Sequence, residues 1–395
     1  MPAKGAYTKS IMALFQKTKR IILFDIGSAS IGSAIVSFSY NKPPHIEHCS
    51  RTYIPFQDDI QEVRTQERLV AQLEAVAQGI VKSDYYRALH IRPDRVVCII
   101  SSPWHTTETL SASYNGKERI EVTEKIMDGL LQEIKTKTAA VPKESVNIEE
   151  VVVQSSLNGY ATEVPLGKRA KRISVAMMRS AISSSLHRKA TSAIEKAFGH
   201  TPILFRSFSL AAFSVMRDVF KEDRDFLLVD VTGEVTEIIV VRNMVPTEFL
   251  SFPYGRNTLV RNVAQTLGSI PEEVESRIAL SLSHNEQSVS AALEQEEKKW
   301  KDTFKGACVA LFKEMLPLPE KVFLVADGKL CGWFLKLIGS DEFREYTTTA
   351  GPFSIIPLRN KGAIEGFCTI GEGAGEDPFL IVDTLFCDRI QGITL

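Results

Sequence analysis

The sequence predicts an α/β protein made of two similar halves that face a shared cleft. Residues 20–36 of its 395, RIILFDIGSASIGSAIV, hold two apolar runs joined by a Gly/Ser turn, the first run ending at Asp25. Short apolar runs about such a turn read as a β-hairpin. Residues 225–241, DFLLVDVTGEVTEIIVV, repeat the pattern with Asp230 and Gly233. A strand, an acid, a turn and a strand occurring twice mark an internal duplication, and two like subdomains then enclose a cleft. A third observation sets the class. Residues 53–56 read as a strand, 58–83 carry helical spacing (Val63, Leu69, Leu73, Val76, Ile80), and 95–101 (RVVCIIS) read as a buried strand. That alternation is an α/β unit.

The first turn has the chemistry of a phosphate loop. Gly27 lets backbone approach a ligand, and Ser28 and Ser30 offer hydroxyl and N–H donors. Asp25, at the strand end, is placed to hold a hydrated divalent cation. An ordinary hairpin with a Gly/Ser turn has the same composition, so the stretch alone leaves both readings open.

Composition narrows the class. Hydrophobic residues make up 44% and charged residues 24%, enough for a sizeable core. A net charge of −1 gives no bulk attraction to nucleic acid, and none is expected as a partner. Cys49, Cys98, Cys308, Cys331, Cys368 and Cys387 are scattered without zinc spacing and read as reduced, mostly buried thiols. No stretch has the apolar length of a membrane span and no signal peptide is apparent, so the expectation is a cytoplasmic protein.

Residues 1–20 carry Lys4, Lys9, Lys17, Lys19 and Arg20 with no acid, and Ile11, Leu14 and Phe15 share a helical face. That suits a peripheral membrane contact, although a plain basic tail before the first strand explains it more simply, the apolar face being only one or two turns long. Between 118 and 199, strands at 119–122, 147–154 and 171–178 alternate with helices at 123–134 and 183–198, the last ended by Gly199. Residues 205–216 read as a helix whose Ala211 and Ala212 permit close packing. A strand near 248 leads through a turn at 253–255 into a helix. Further helices are expected at 271–282, with Pro271 and Glu272 suited to its start, and at 291–315, followed by a strand at 321–325 and a helix at 333–338. Gly371, Gly373 and Gly375 form a weak glycine signal.

DIGSASIG at 25–32 and DVTGEVTE at 230–237 resemble the two phosphate loops of the actin/Hsp70/sugar-kinase superfamily. The order of strands and helices in 118–200 resembles the SHS2-type insertion of the bacterial FtsA/PilM family within it. The resemblance implies an actin-like (ribonuclease H-like) duplicated fold, with lobes around a nucleotide cleft. Its expected parts are a basic tail at 1–19, a first lobe at 20–117, the insertion at 118–200 and a second lobe at 201–395 that returns to the first. It implies ATP and Mg2+ as cofactors. The nucleotide-binding residues would be Asp25, Gly27, Ser28, Ser30, Asp230, Gly233, Thr236, Gly255, Glu275 and Gly328, with Asp25 and Asp230 holding Mg2+ through water. It also implies proteins of a membrane-associated assembly as partners, in cell division or type IV pilus assembly, and self-association into filaments.

The sequence departs from the family at several of these points. Thr232 and Glu234 stand where glycines are usual, and Val235 replaces a threonine. Arg256 replaces the second glycine of a Gly-Gly-Asn turn. Ile278 takes the lysine position after Glu275, and Ala326-Asp327 replaces a glycine pair in the adenosine loop. A Cβ at Thr232 obstructs close approach, and a Glu234 side chain turned to the cleft would repel phosphate. These changes predict weak or degenerate ATP binding and a scaffold rather than an enzyme. The basic amphipathic helix that ends FtsA has no counterpart after Asp377. The alternative is an ATP-dependent small-molecule kinase of the same superfamily.

Overall fold

The computed structural model describes residues 18–56, 62–90, 92–137, 144–281, 287–312, 316–358, 362, 364–372 and 374–390. The expected amphipathic face at 11–15 and Gly373 lie outside them. Strand β1 (Lys19–Ile26) turns into β2 (Ser30–Phe38), and β3 (His45–Tyr53) completes an antiparallel meander. Helices α1 (Glu62–Lys82) and α2 (Asp84–Leu89) precede β4 (Arg95–Ile100), which runs parallel to β1. Leu69, Leu73 and Ala77, four residues apart, bury one stripe of α1, as the spacing predicts. Val63, assigned to the same face, is instead 68% exposed.

The chain then leaves the first sheet for β5 (His105–Glu121), α3 (Glu124–Thr136), β6 (Ser145–Leu157), β7 (Tyr160–Ala161) and β8 (Arg169–Ser183). It returns through α4 (Ser184–Phe198), whose Leu186, Ala190 and Ile194 join the α1 stripe, and β9 (Ile203–Ser207). The second half runs α5 (Phe208–Val219), β10 (Phe226–Val231), β11 (Thr236–Arg242), β12 (Val245–Phe252), α6 (Arg256–Leu267), α7 (Pro271–Ser281) and α8 (Gln287–Leu311). It closes with β13 (Lys321–Ala326), α9 (Cys331–Ile338), β14 (Ser354–Pro357), β15 (Thr369–Ile370) and α10 (Pro378–Ile390).

The sheet orders display the duplication. The first is β15-β3-β2-β1-β4-β9 and the second β12-β11-β10-β13-β14. Each is an antiparallel meander whose first strand then takes parallel partners. Register matches too: Asp25 lies opposite Gly32, and Asp230 opposite Glu237. A third sheet, β5-β8-β6-β7, belongs to neither half and packs Val175 and Met177 against Leu130 and Ile134 of α3.

Helices α5 and α10 lie between the two duplicated sheets. Ile21 and Leu23 of the first and Leu228 and Phe323 of the second share one apolar cluster with Phe213, Met216, Leu380 and Phe386. The far side of the second sheet is filled around Trp300, stacked on Phe304 at 4.8 Å between ring centres. Among the described residues no helix is long and apolar enough to cross a membrane.

Several boundaries differ from expectation, and three of the differences have a plain physical reason. The strand expected at 119–122 is the end of the seventeen-residue β5. Its polar sequence, HTTETLSASYNGKERIE, has no apolar run, and pairing with β8 rather than propensity makes it a strand. The strand expected at 53–56 ends at Tyr53 and begins at His45, where HIEHCSRTY mixes polar and apolar residues. The helix expected from 205 starts at Phe208, because the Ser207 side chain accepts from Leu210 N–H and caps it.

Candidate functional site

Asp25, Gly32 and Arg51 stand in one row across β1, β2 and β3. Because Gly32 has no side chain, the Arg51 guanidinium passes over it to Asp25. A Cβ at Gly32 would lie 2.7 Å from Arg51 Nη2. Arg51 donates to Asp25 at 2.6 Å, to Ser30 Oγ at 2.9 Å, and to both oxygens of Asp377 at 2.6 and 3.0 Å. Asp377 also accepts from the N–H groups of Phe379 and Leu380, capping α10. Burial pushes the Asp25 carboxyl up from 3.8, and Arg51 opposes that shift. Arg51 is itself held charged by its two carboxylates.

The two turns expected to grip phosphate touch each other. Ser28 Oγ lies 3.1 Å from Thr232 Oγ1 and accepts from Glu234 N–H at 2.9 Å. A Cβ at Gly233 would fall 2.0 Å from that of Ala29, so glycine there permits loop-to-loop contact. The first amides of α6 are spent on the same turn: Arg256 N–H donates to Thr232 O and Asn257 N–H to Gly233 O, at 2.9 and 2.7 Å. Gly255 is pressed against it as well, a Cβ there meeting Gly233 O at 2.5 Å. Glu234 does not face the cleft opening unpaired, for Arg261 donates to both its oxygens at 2.9 and 2.6 Å and Asn257 adds a third bond.

The remaining expected residues have other partners. Thr236 donates its hydroxyl to Tyr254 O at 2.7 Å. Glu275 pairs with Arg256 at 2.7 Å, and Gly328 is exposed beyond β13. Asp230 is buried with neither carboxyl oxygen hydrogen-bonded, and burial with Glu237 and Asp25 nearby pushes its pKa well up, favouring the neutral acid. Asp25, Gly27, Ser28, Ser30 and Gly233 line one hollow, but Asp230, Thr236, Gly255, Glu275 and Gly328 do not.

Sequence reading missed four participants: Arg51, Tyr53, Asp377 and Asp383. Tyr53 donates to Asp327 at 2.7 Å, and Arg256 lies 4.5 Å over the Tyr53 ring while pairing with Asp327 at 3.4 Å. Asp383 of α10 is fully buried, its oxygens unpartnered. Gly32 was the available signal, since a small residue beside a strand acid marks a place where something crosses. Asp377 and Asp383 sit more than 350 residues along the chain from Asp25 in a stretch with no motif, so nothing local joins them.

The enclosed volume between the turns is about 30 Å3. That admits a water or two, whereas ligand pockets run to roughly 300–1,000 Å3. The space between the two turns therefore does not fit the Mg-phosphate part of a nucleotide, and a guanidinium holds the carboxylate expected to face the cation; a wider hollow of about 360 Å3, which shares Arg51, Tyr53, Asp327 and Phe379 with it, takes in Gly328. Among the described residues no group of three His, Cys, Asp or Glu is arranged to hold a metal ion.

No protein-family model and no curated protein matches the sequence. Solved structures do match. A chain of the PilM-PilN type IV pilus biogenesis complex is 16% identical, with 93% of this chain and 97% of that one covered at a TM-score of 0.57. A Bacteroides thetaiotaomicron protein of actin-like ATPase fold and unknown function is 9% identical over 86% of this chain and 91% of its own, at 0.41. The ethanolamine utilization protein EutJ from Carboxydothermus hydrogenoformans is 11% identical over 94% and 90%, at 0.42. With its duplicated sheets and the likeness to the PilM-PilN chain, this protein has the actin-like fold.

Proposed function

We propose that this chain is a scaffold of the FtsA/PilM type, working through protein–protein contacts in a membrane-associated assembly. Pilus assembly is favoured over cell division, in keeping with the likeness to a PilM-PilN chain. The third sheet plays the part of the SHS2-type insertion. It carries the reading: it stands outside both halves, has its own small core, and exposes apolar side chains in β7 and the loop before β8, namely Tyr160 (80% exposed), Val164 (64%) and Leu166 (45%). Apolar groups gathered at such a surface mark a contact face. Residues 1–20 supply a peripheral contact with the cytoplasmic face of the membrane, self-association extends the assembly, and ATP binding is weak or lost.

The test is a pull-down from native extract with the wild type and with a Tyr160→Ser/Val164→Ser variant. The wild type retains proteins of a membrane assembly and the variant loses them. ATP-dependent phosphorylation of any member of a sugar and carboxylate panel would replace the scaffold by the kinase alternative.

A further inference from the structure

In an actin-like cleft a nucleotide normally joins the lobes. Here the joining contacts are made by the chain. Ser28 of the first half is bonded to Thr232 and Glu234 of the second, Tyr53 to Asp327, and Arg256 lies on the Tyr53 ring. Arg51 ties β1 and β3 to the cap of α10. A guanidinium is permanently charged and its planar fork meets two carboxylates at once, which makes it a fitting substitute for a divalent cation between Asp25 and Asp377. The amides at the start of α6, where a phosphate would be met, are already capped by Thr232 and Gly233 carbonyls.

We infer that the crevice is a self-liganded latch: Arg51 occupies the place of the metal, the two loops occupy the place of the phosphates, and the lobes are held closed without Mg-ATP. One glycine permits the contact between the halves, Gly233 against Ala29, while Gly32 under Arg51 and Gly255 against Gly233 let each half pack closely within itself. An alanine at Gly233 would force the two loops apart. The same substitutions that leave the second loop short of glycines supply the latch, since Thr232 provides the hydroxyl that meets Ser28 and Arg256 provides the cation over Tyr53. This deepens the scaffold reading and rests on its premise that the cleft is not an active site.

Two measurements on the full-length protein test it. Titration with Mg and a fluorescent ATP analogue, followed by anisotropy, is expected to show no saturable binding up to millimolar nucleotide. Amide hydrogen exchange is expected to be slow in segments 26–31 and 231–236 of the wild type and unchanged by Mg-ATP. In Tyr53→Phe, which removes one hydroxyl from the latch, exchange in both segments rises by about tenfold, the upper size for one lost hydrogen bond. Saturable Mg-ATP binding that slows exchange in these segments would overturn the latch, as would fast exchange in the unliganded wild type. Neither outcome touches the partner contacts of the third sheet, so the scaffold reading fails separately, by small-molecule turnover.

Discussion

Replacing Arg51 by methionine keeps much of the side chain's length and removes its charge. The Asp25 side chain is 2% exposed and that of Arg51 13%, so the pair lies on the buried side of the usual distinction. Exposed pairs contribute ~0–1 kcal/mol; stripping the partner from a buried one costs about 3–5 kcal/mol, because the remaining charge is left desolvated. Unfolding entropy of about 2.1 cal/mol/K per residue over 395 residues amounts to about 0.8 kcal/mol/K if the chain melts as one unit. The expected fall in Tm is therefore about 4–6 °C, read by calorimetry at neutral pH. Adding Asp25→Asn to the Arg51→Met variant removes the orphaned charge and recovers part of the loss. Without Arg51, the upward push of burial on Asp25 is unopposed by its cation, so the deficit is largest above the folded pKa and narrows as pH falls toward 3.8, its unperturbed value. A variant that melts within a degree of the wild type, or a double variant worse than the single, would refute the assignment of Arg51 as counter-ion.

Gly32→Ala puts a Cβ 2.7 Å from Arg51 Nη2 and 3.3 Å from Asp25 Cβ. The expected loss is ~1–3 kcal/mol, seen in urea as a lower midpoint at unchanged slope; no loss would mean that Arg51 does not cross there. Asp383 is buried without a partner and its pKa lies well above 3.8, mainly through desolvation. Since the folded state holds this proton more tightly than the unfolded chain, wild-type stability falls as pH rises through that window. Asp383→Asn should therefore gain on the wild type as pH rises above 3.8, the carboxyl's unperturbed value, and a pH-independent difference would refute it. Sedimentation with anionic liposomes is expected to retain the wild type weakly and to retain a variant lacking residues 1–19 less; equal retention would remove the basic segment as a membrane contact.

Much of the fold was legible because it rests on local signals. The hairpins at Asp25 and Asp230 are apolar runs with turn residues between them, and Leu69 and Leu73 declare a helix face by spacing alone. The polar β5 was hidden because its strand state comes from β8, and β15 because two residues paired with β3 carry no pattern. The candidate site divided in the same way. Loop glycines and serines are visible in sequence, and five of the expected residues do share one hollow. What occupies that hollow was not visible, since Arg51 reaches Asp25 only through the pairing of three strands. Arg256 stood out as a substituted glycine, yet its role depends on Tyr53 and Asp327, both distant in sequence.

The position of α10 bears on how the protein is made. This helix lies between the two duplicated sheets, and its Leu380, Ile381 and Val382 are fully buried. Strand β15 likewise extends the first sheet from a point more than 300 residues downstream of β3. During synthesis the earliest strands are thus without their covering helix until more than 350 further residues have left the ribosome. Contacts so far apart in sequence close slowly, and the exposed apolar face of β1 and β2 is meanwhile open to association. Chains cut short before residue 378 should accumulate as aggregates or chaperone clients.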